Sequence, residues 1–261
     1  MNHFKLSFRM LRRDWRAGEL NVLALALVIA ISGMTTVGFF ADRVEMALSR
    51  ESNQLLGADL LVISSHPVPE QYAHEAARLG LSVSTVTKFP SMISSGEDNL
   101  LAEIKAVTEG YPLRGRVDLA GKPSQAHELQ SETQALSRIP QPGTIWVDEK
   151  LLTRLDLKPG DQVDVGAMQL TVTELIMREP DHSVGFINMG PRVMINAIDL
   201  PETGLIQQGS RISYNLMIAG DVNQVQQFRD WAEPQLSKAE IIEGIRDARP
   251  EIRAALERAE K

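Results

Sequence analysis

From Leu20 to Phe40 (LNVLALALVIAISGMTTVGFF) the chain carries 21 residues without a charge, and only Asn21, Ser32, Thr35 and Thr36 among them are polar. Wound as a helix, that run is ~31 Å long, enough to cross a hydrocarbon core of roughly 30 Å. It predicts a transmembrane helix over 20–40. A buried helix of a soluble protein rarely runs so long without a charge. A cleaved signal peptide also starts basic and turns apolar, but this run exceeds the usual apolar region, and Val37-Gly38-Phe39-Phe40-Ala41 offers no small-x-small cleavage site.

The flanks give the run a direction. Residues 1–19 hold Lys5, Arg9, Arg12, Arg13 and Arg16 against Asp14 and Glu19, a net charge of +3 in a chain whose total is -7, while Asp42 and Glu45 follow the run. Cations gather on the cytoplasmic side of membrane helices, so the N-terminus is expected inside and the body outside. Phe4, Phe8, Leu11 and Trp15 share one helical stripe beside Lys5, Arg9, Arg12 and Arg16, the pattern of a helix lying among headgroups. The remaining 242 residues carry -10, which excludes broad nucleic-acid binding, since that needs basic surface. There is no cysteine, so neither a disulfide framework nor a thiolate metal site is available.

After Phe40 the helical period continues through Val37, Ala41, Val44, Leu48 and Leu55, predicting a stalk over 41–57 that Gly57 ends. Ala58–Ser64 reads as a strand, Pro69–Leu79 as a short helix, and Leu81–Ser94 and Leu100–Val107 as strands joined through Gly96-Glu97-Asp98-Asn99. Gly121–Pro142 is polar, with Pro123, Pro140 and Pro142, and marks a subdomain boundary. Next come a strand at Thr144–Val147, a short helix capped by Asp148, and a type II turn at Lys158-Pro159-Gly160-Asp161. Gln162–Val165 and Gln169–Ile176 form a hairpin with Val163 and Val165 on one face. A strand at Arg211–Ala219 and a helix at Val222–Leu236, apolar along Val225, Phe228, Trp231 and Ala232, complete the body. From Pro250 a further helix begins. The fold class is α+β. The expected units are a leader (1–19), the membrane helix (20–40), the stalk (41–57), an α+β subdomain (58–142 and 201–246), a β-rich subdomain (143–200) and a second stalk (247–261).

No enzyme constellation emerges, so no catalytic, cofactor-binding or metal residue is assigned. Gly115–Ser124 (GRVDLAGKPS) has five residues between its glycines and Pro123 after the lysine, where a phosphate loop needs four and a Ser or Thr. His3, His66, His74, His127 and His182 never take a metal-binding spacing. The cluster Arg178-Glu179-Pro180-Asp181-His182-Ser183 holds the groups of an acid/base site, but its bland reading is a solvated loop after a strand, with Pro180 breaking the ladder.

Read in order, certain stretches are specific as a set: the basic leader and its span, Leu55-Leu56-Gly57-Ala58-Asp59-Leu60, Gly110-Tyr111-Pro112-Leu113-Arg114-Gly115, Trp146-Val147-Asp148-Glu149, Leu157-Lys158-Pro159-Gly160-Asp161, Arg178-Glu179-Pro180-Asp181, Gly190-Pro191-Arg192, Leu205-Ile206-Gln207, Gly209-Ser210-Arg211 and Asp247-Ala248-Arg249-Pro250-Glu251. In these the chain resembles MacB/FtsX-type ABC-transporter permeases, most closely their YbbP-like branch. The resemblance implies a bacterial inner-membrane protein whose periplasmic domain pairs a β-α-β subdomain with a small β-rich one. It implies a non-catalytic subunit without cofactors that transmits the motion of a separate cytoplasmic ATPase. The implied partners are that ATPase, a second permease copy or the remaining permease segment, and a periplasmic esterase or lysophospholipase, which suggests export or extraction of lipids or hydrophobic compounds. It also implies that the chain is the N-terminal part of a larger permease. The alternatives are a membrane-anchored periplasmic binding or adaptor module and, less supported by the residues, an anchored hydrolase.

Overall fold

The computed structural model describes residues 19–120, 139–180, 190–207 and 209–244, without the side chains at 19–20, 23–24, 41–42 and 44–55. The chain divides into two compact units, 1–50 and 51–261. The expected amphipathic leader up to residue 18, the polar insertion at 121–138 and the second stalk lie outside the described residues.

A single helix, α1 (Glu19–Leu56), is 38 residues long and contains the whole apolar run. Every side chain described between 25 and 40 is exposed. The polar side chains inside the run are turned back on the backbone: Thr35 Oγ1 donates to Ile31 O and Thr36 Oγ1 to Ser32 O, each at 2.7 Å. Such bonds satisfy hydroxyls where no water is at hand. Among the described residues no helix is long and apolar enough to cross a membrane. The membrane helix expected over 20–40 is thus not shown by the structure and rests on the amino-acid sequence alone.

In the second unit α1 ends at Leu56, and Gly57 takes a positive φ of +72°, the conformation that favours glycine after a helix. The strands β1 (Leu60–Ser64), β2 (Ser82–Ser95), β3 (Asp98–Val107), β4 (Asp118–Leu119), β5 (Thr144–Asp148), β6 (Gln162–Val165), β7 (Met168–Arg178), β8 (Arg192–Asn196), β9 (Ser213–Ala219) and β10 (Glu240–Gly244) form one ten-stranded sheet. Its order is β10-β1-β9-β2-β3-β8-β5-β7-β4, with β6 between β2 and β7. Helices α2 (Glu70–Arg78), α3 (Glu149–Arg154) and α4 (Val222–Ala232) complete it.

β2 is 14 residues long and belongs to two neighbourhoods. Its first half, Ser82–Lys88, pairs with β9, and Ile93 and Ser94 pair with β6. Because β6 also pairs with β7, the strands β2, β3, β8, β5, β7 and β6 close into a ring. Closure removes open edges from these strands. Alternation then sorts their side chains: Phe89, Ile93, Ile104, Ile145, Val147, Val163, Val165, Leu170, Val172, Val193 and Ile195 fill one cluster. The β3–β8 and β5–β7 ladders are parallel and the others antiparallel.

On the open part of the sheet, α2 and α4 cover β1 and β9. Tyr72 stacks edge-on against Trp231, with centroids 5.7 Å apart, and both contact Phe228, all packed with Leu60, Val62, Leu216 and Ile218. A third cluster joins Leu56, Ala58 and Leu61 to Tyr111, Trp146, Ile176, Met194 and Met217. Fold and expectation agree in class, since the body is a sheet-rich mixture of strands and helices. The expected hairpin has Val163 and Val165 buried and Gln162 and Asp164 exposed. The turn before it has Gly160 at φ +102° and Asp161 N bonded to Lys158 O at 3.0 Å. Strands β4, β8 and β10 have no counterpart in the sequence reading.

Candidate functional site: the exit of the long helix and a buried ion cluster

Three residues beyond the end of α1 at Leu56, Asp59 meets Arg114 in a fork. Arg114 Nε lies 3.0 and 3.1 Å from the two carboxylate oxygens, and Nη2 lies 2.7 Å from Oδ2. Two parallel charge-assisted bonds fix orientation as well as distance. Asp59 Oδ2 also accepts from Gly220 N at 3.0 Å, while Arg114 Nη2 donates to Gly220 O at 3.2 Å and Arg114 N to Gly57 O at 2.8 Å. The Gly110–Gly115 loop, the α1 exit and the turn before α4 are thus tied at one point.

Close by is a cluster of buried charge. Lys105 Nζ (β3) donates to Glu179 Oε2 at 2.7 Å, and Arg192 Nη1 (β8) donates to Glu179 Oε1 at 3.0 Å. The side chains of Glu179 and Lys105 are 3% and 7% exposed. Lys105 also reaches Tyr111 Oη at 3.3 Å and lies 5.5 Å from the centre of that ring. Arg192 Nε lies 4.0 Å from Asp148 Oδ2. Asp148 caps α3 as expected, its Oδ1 accepting from Leu151 N at 3.0 Å. Isolated charges at such depth are costly, and their alternation of sign with hydrogen bonds is what makes the cluster tolerable.

The loop reading of Arg178–Ser183 needs correcting at its first half. Arg178 is exposed at the end of β7, but Glu179 and Pro180 are buried. The reason is long range: Glu179's partner Lys105 is 74 residues away and Arg192 is 13 away, on strands that local pattern does not connect to it. Asp181, His182 and Ser183 lie outside the described residues, as do His3 and His127. His66 and His74 are exposed. The stretch from Gly115 runs into β4, and its second half, Gly121–Ser124, lies outside the described residues. Among the described residues no group of three or more His, Asp or Glu is placed to hold a metal. The arrangement holds segments in register.

The residues that meet here, Gly57, Asp59, Tyr111, Arg114, Asp148, Glu179 and Arg192, come from five of the stretches on which the sequence resemblance rests. Over 249 residues, 95% of its length, the chain is 31% identical to "Uncharacterized ABC transporter permease YbbP" of Escherichia coli (strain K12), and it spans 29% of that protein's length. No family model matches. Among solved structures, the periplasmic region of MacB from Actinobacillus actinomycetemcomitans aligns at TM-score 0.44 and 17% identity, covering 78% of this chain and 95% of that one. The extracellular domain of the noncanonic ABC-type transporter YknZ from Gram-positive bacteria aligns at TM-score 0.43 and 11% identity, covering 71% of this chain and all of that one. At those scores and identities, what the chain does rests on its own residues and on the permease relative.

Proposed function

From its kinship with the YbbP-like ABC-transporter permeases, we propose that the chain is the first membrane helix, stalk and periplasmic domain of such a permease. An ATPase on the cytoplasmic side drives α1, and α1 moves the folded body. The subunit itself performs no chemistry, and its cargo is a lipid or hydrophobic compound. One observation carries this reading: the helix that holds Leu20–Phe40 continues unbroken to Leu56 and passes directly into the Asp59–Arg114 fork. A helical connection transmits displacement that a flexible linker would dissipate. An anchored adaptor needs no such connection.

Orientation is tested on single cysteines in this cysteine-free chain. In intact spheroplasts an impermeant maleimide should label Glu97→Cys, at the tip of the β2–β3 turn, and reach Ser7→Cys only after permeabilisation. The reverse pattern overturns the topology. The lever is tested by hydrogen exchange on the whole transporter in lipid discs, nucleotide-free and vanadate-trapped. Amides at 57–61 and at Tyr111, Leu113 and Arg114 should change exchange between the two states. Identical exchange sinks the lever and favours the adaptor.

A further inference from the structure

Glu179 and Pro180 are neighbours in sequence that grip two different things. The Glu179 carboxylate holds Lys105 and Arg192. Both cations stand on the outer wall of the closed ring of strands, because Ile104, Ala106, Val193 and Ile195, which alternate with them, fill its interior. Pro180 lies on the α1 exit: a Cβ on Gly57 would stand 3.4 Å from Pro180 Cγ and 2.9 Å from Met217 Cε. One peptide bond thus separates the grip on the ring from the contact with the end of the helix.

A mere need for stability does not explain charge at this place. Trp146, Met194, Ile176 and Tyr111 already line the surroundings, and apolar replacement of a buried ion cluster is often neutral or stabilising. What ions add is direction, since apolar surfaces slide and two short charge-assisted bonds do not.

We propose that Glu179 is a positioning residue that locks the α1 exit to the ring, so that a displacement at Gly57–Asp59 is shared by β3 and β8 rather than absorbed between them. Its purpose rests on the lever reading, but the coupling is a property of the folded body and is tested without nucleotide.

The experiment is hydrogen exchange on the full chain in detergent. Asp59→Asn breaks the fork on the helix side, and the amides of β8 and of Leu151 are read on the ring side. In an otherwise unchanged chain, ring-side exchange should rise about tenfold together with that at Asp59 and Arg114. In a Glu179→Gln background, Asp59→Asn should loosen only the fork and leave ring-side exchange within about twofold. Ring-side exchange that never responds, or that responds equally in both backgrounds, overturns the proposal. If Glu179→Gln fails to fold, Arg192→Lys, which keeps the charge but cannot reproduce the guanidinium geometry, supplies the second background. A positive coupling result with no nucleotide response in the whole transporter would refute the lever and keep the lock.

Discussion

Replacing Glu179 by alanine removes the anion that two cations share. Lys105, 7% exposed at its side chain, and Arg192, 21% exposed, lose bonds of 2.7 and 3.0 Å. Breaking a buried ion pair by removing one partner costs about 3 to 5 kcal/mol, because the remaining charge stays desolvated. Tyr111 near Lys105 and Asp148 near Arg192 offset part of this, so the lower end, about 3 kcal/mol, is expected. With a urea dependence of about 3 kcal/mol per molar, the unfolding midpoint falls by roughly 1 M. Trp146, buried beside Tyr111 and Met194, is the reporter, followed by fluorescence in mild detergent with far-ultraviolet circular dichroism alongside. The internal control is Arg116–Asp118, an ion pair of similar length, 2.8 Å, but 55% and 30% exposed. There Asp118→Ala should cost no more than about 1 kcal/mol. Replacing Lys105, Glu179 and Arg192 together by methionine should recover most of the loss. Equal midpoints for Glu179→Ala and Asp118→Ala, or a triple variant less stable than the single one, would refute the reasoning.

Asp148→Ala removes the cap of α3 and should destabilise the body by about 1 kcal/mol, read as a lower midpoint with faster exchange at the Leu151 amide. Gly57→Ala forces a side chain into φ +72° with Met217 Cε 2.9 Å away; a loss of about 1 to 3 kcal/mol is expected, measured by thermal unfolding. Burial, together with the charge of Glu240 and its 3.2 Å hydrogen bond, raises the Tyr72 phenol above its ordinary value of 10.0. A folded value above the unfolded one means that the neutral phenol contributes stability below about pH 10, and that this is lost as pH rises through the folded value. Tyr72→Phe should therefore remove a late-titrating step from the absorbance titration near 295 nm; an unchanged curve would contradict it.

What could be read from sequence is what short-range physics writes there. The period of α1, the strand alternation at Val163 and Val165, the Asp148 cap and the glycine after Leu56 each depend on neighbours a few residues apart. Strand β8 is five residues long, buried at four of them, and so lacks the alternation that marks a half-exposed strand. Strand β10, Glu-Ile-Ile-Glu-Gly, carries two glutamates, which are poor strand formers. The candidate site was half visible. Most of its residues stood in the stretches of family resemblance, Lys105 excepted, but Glu179 looked like loop polarity because its meaning lies in Lys105 and Arg192, which only the ring of strands brings to it.

The sheet also sets an order of events in time. Ser82 pairs with Ala219, a partner 137 residues later in the chain, so at about 5 to 20 residues per second β2 waits on the order of ten seconds for β9 to be synthesised. Until then an apolar strand edge is open to the wrong neighbour. The growing protein is therefore expected to depend on a holding chaperone, and slower elongation between β3 and β8 should lower the yield of folded chain before it alters the finished one.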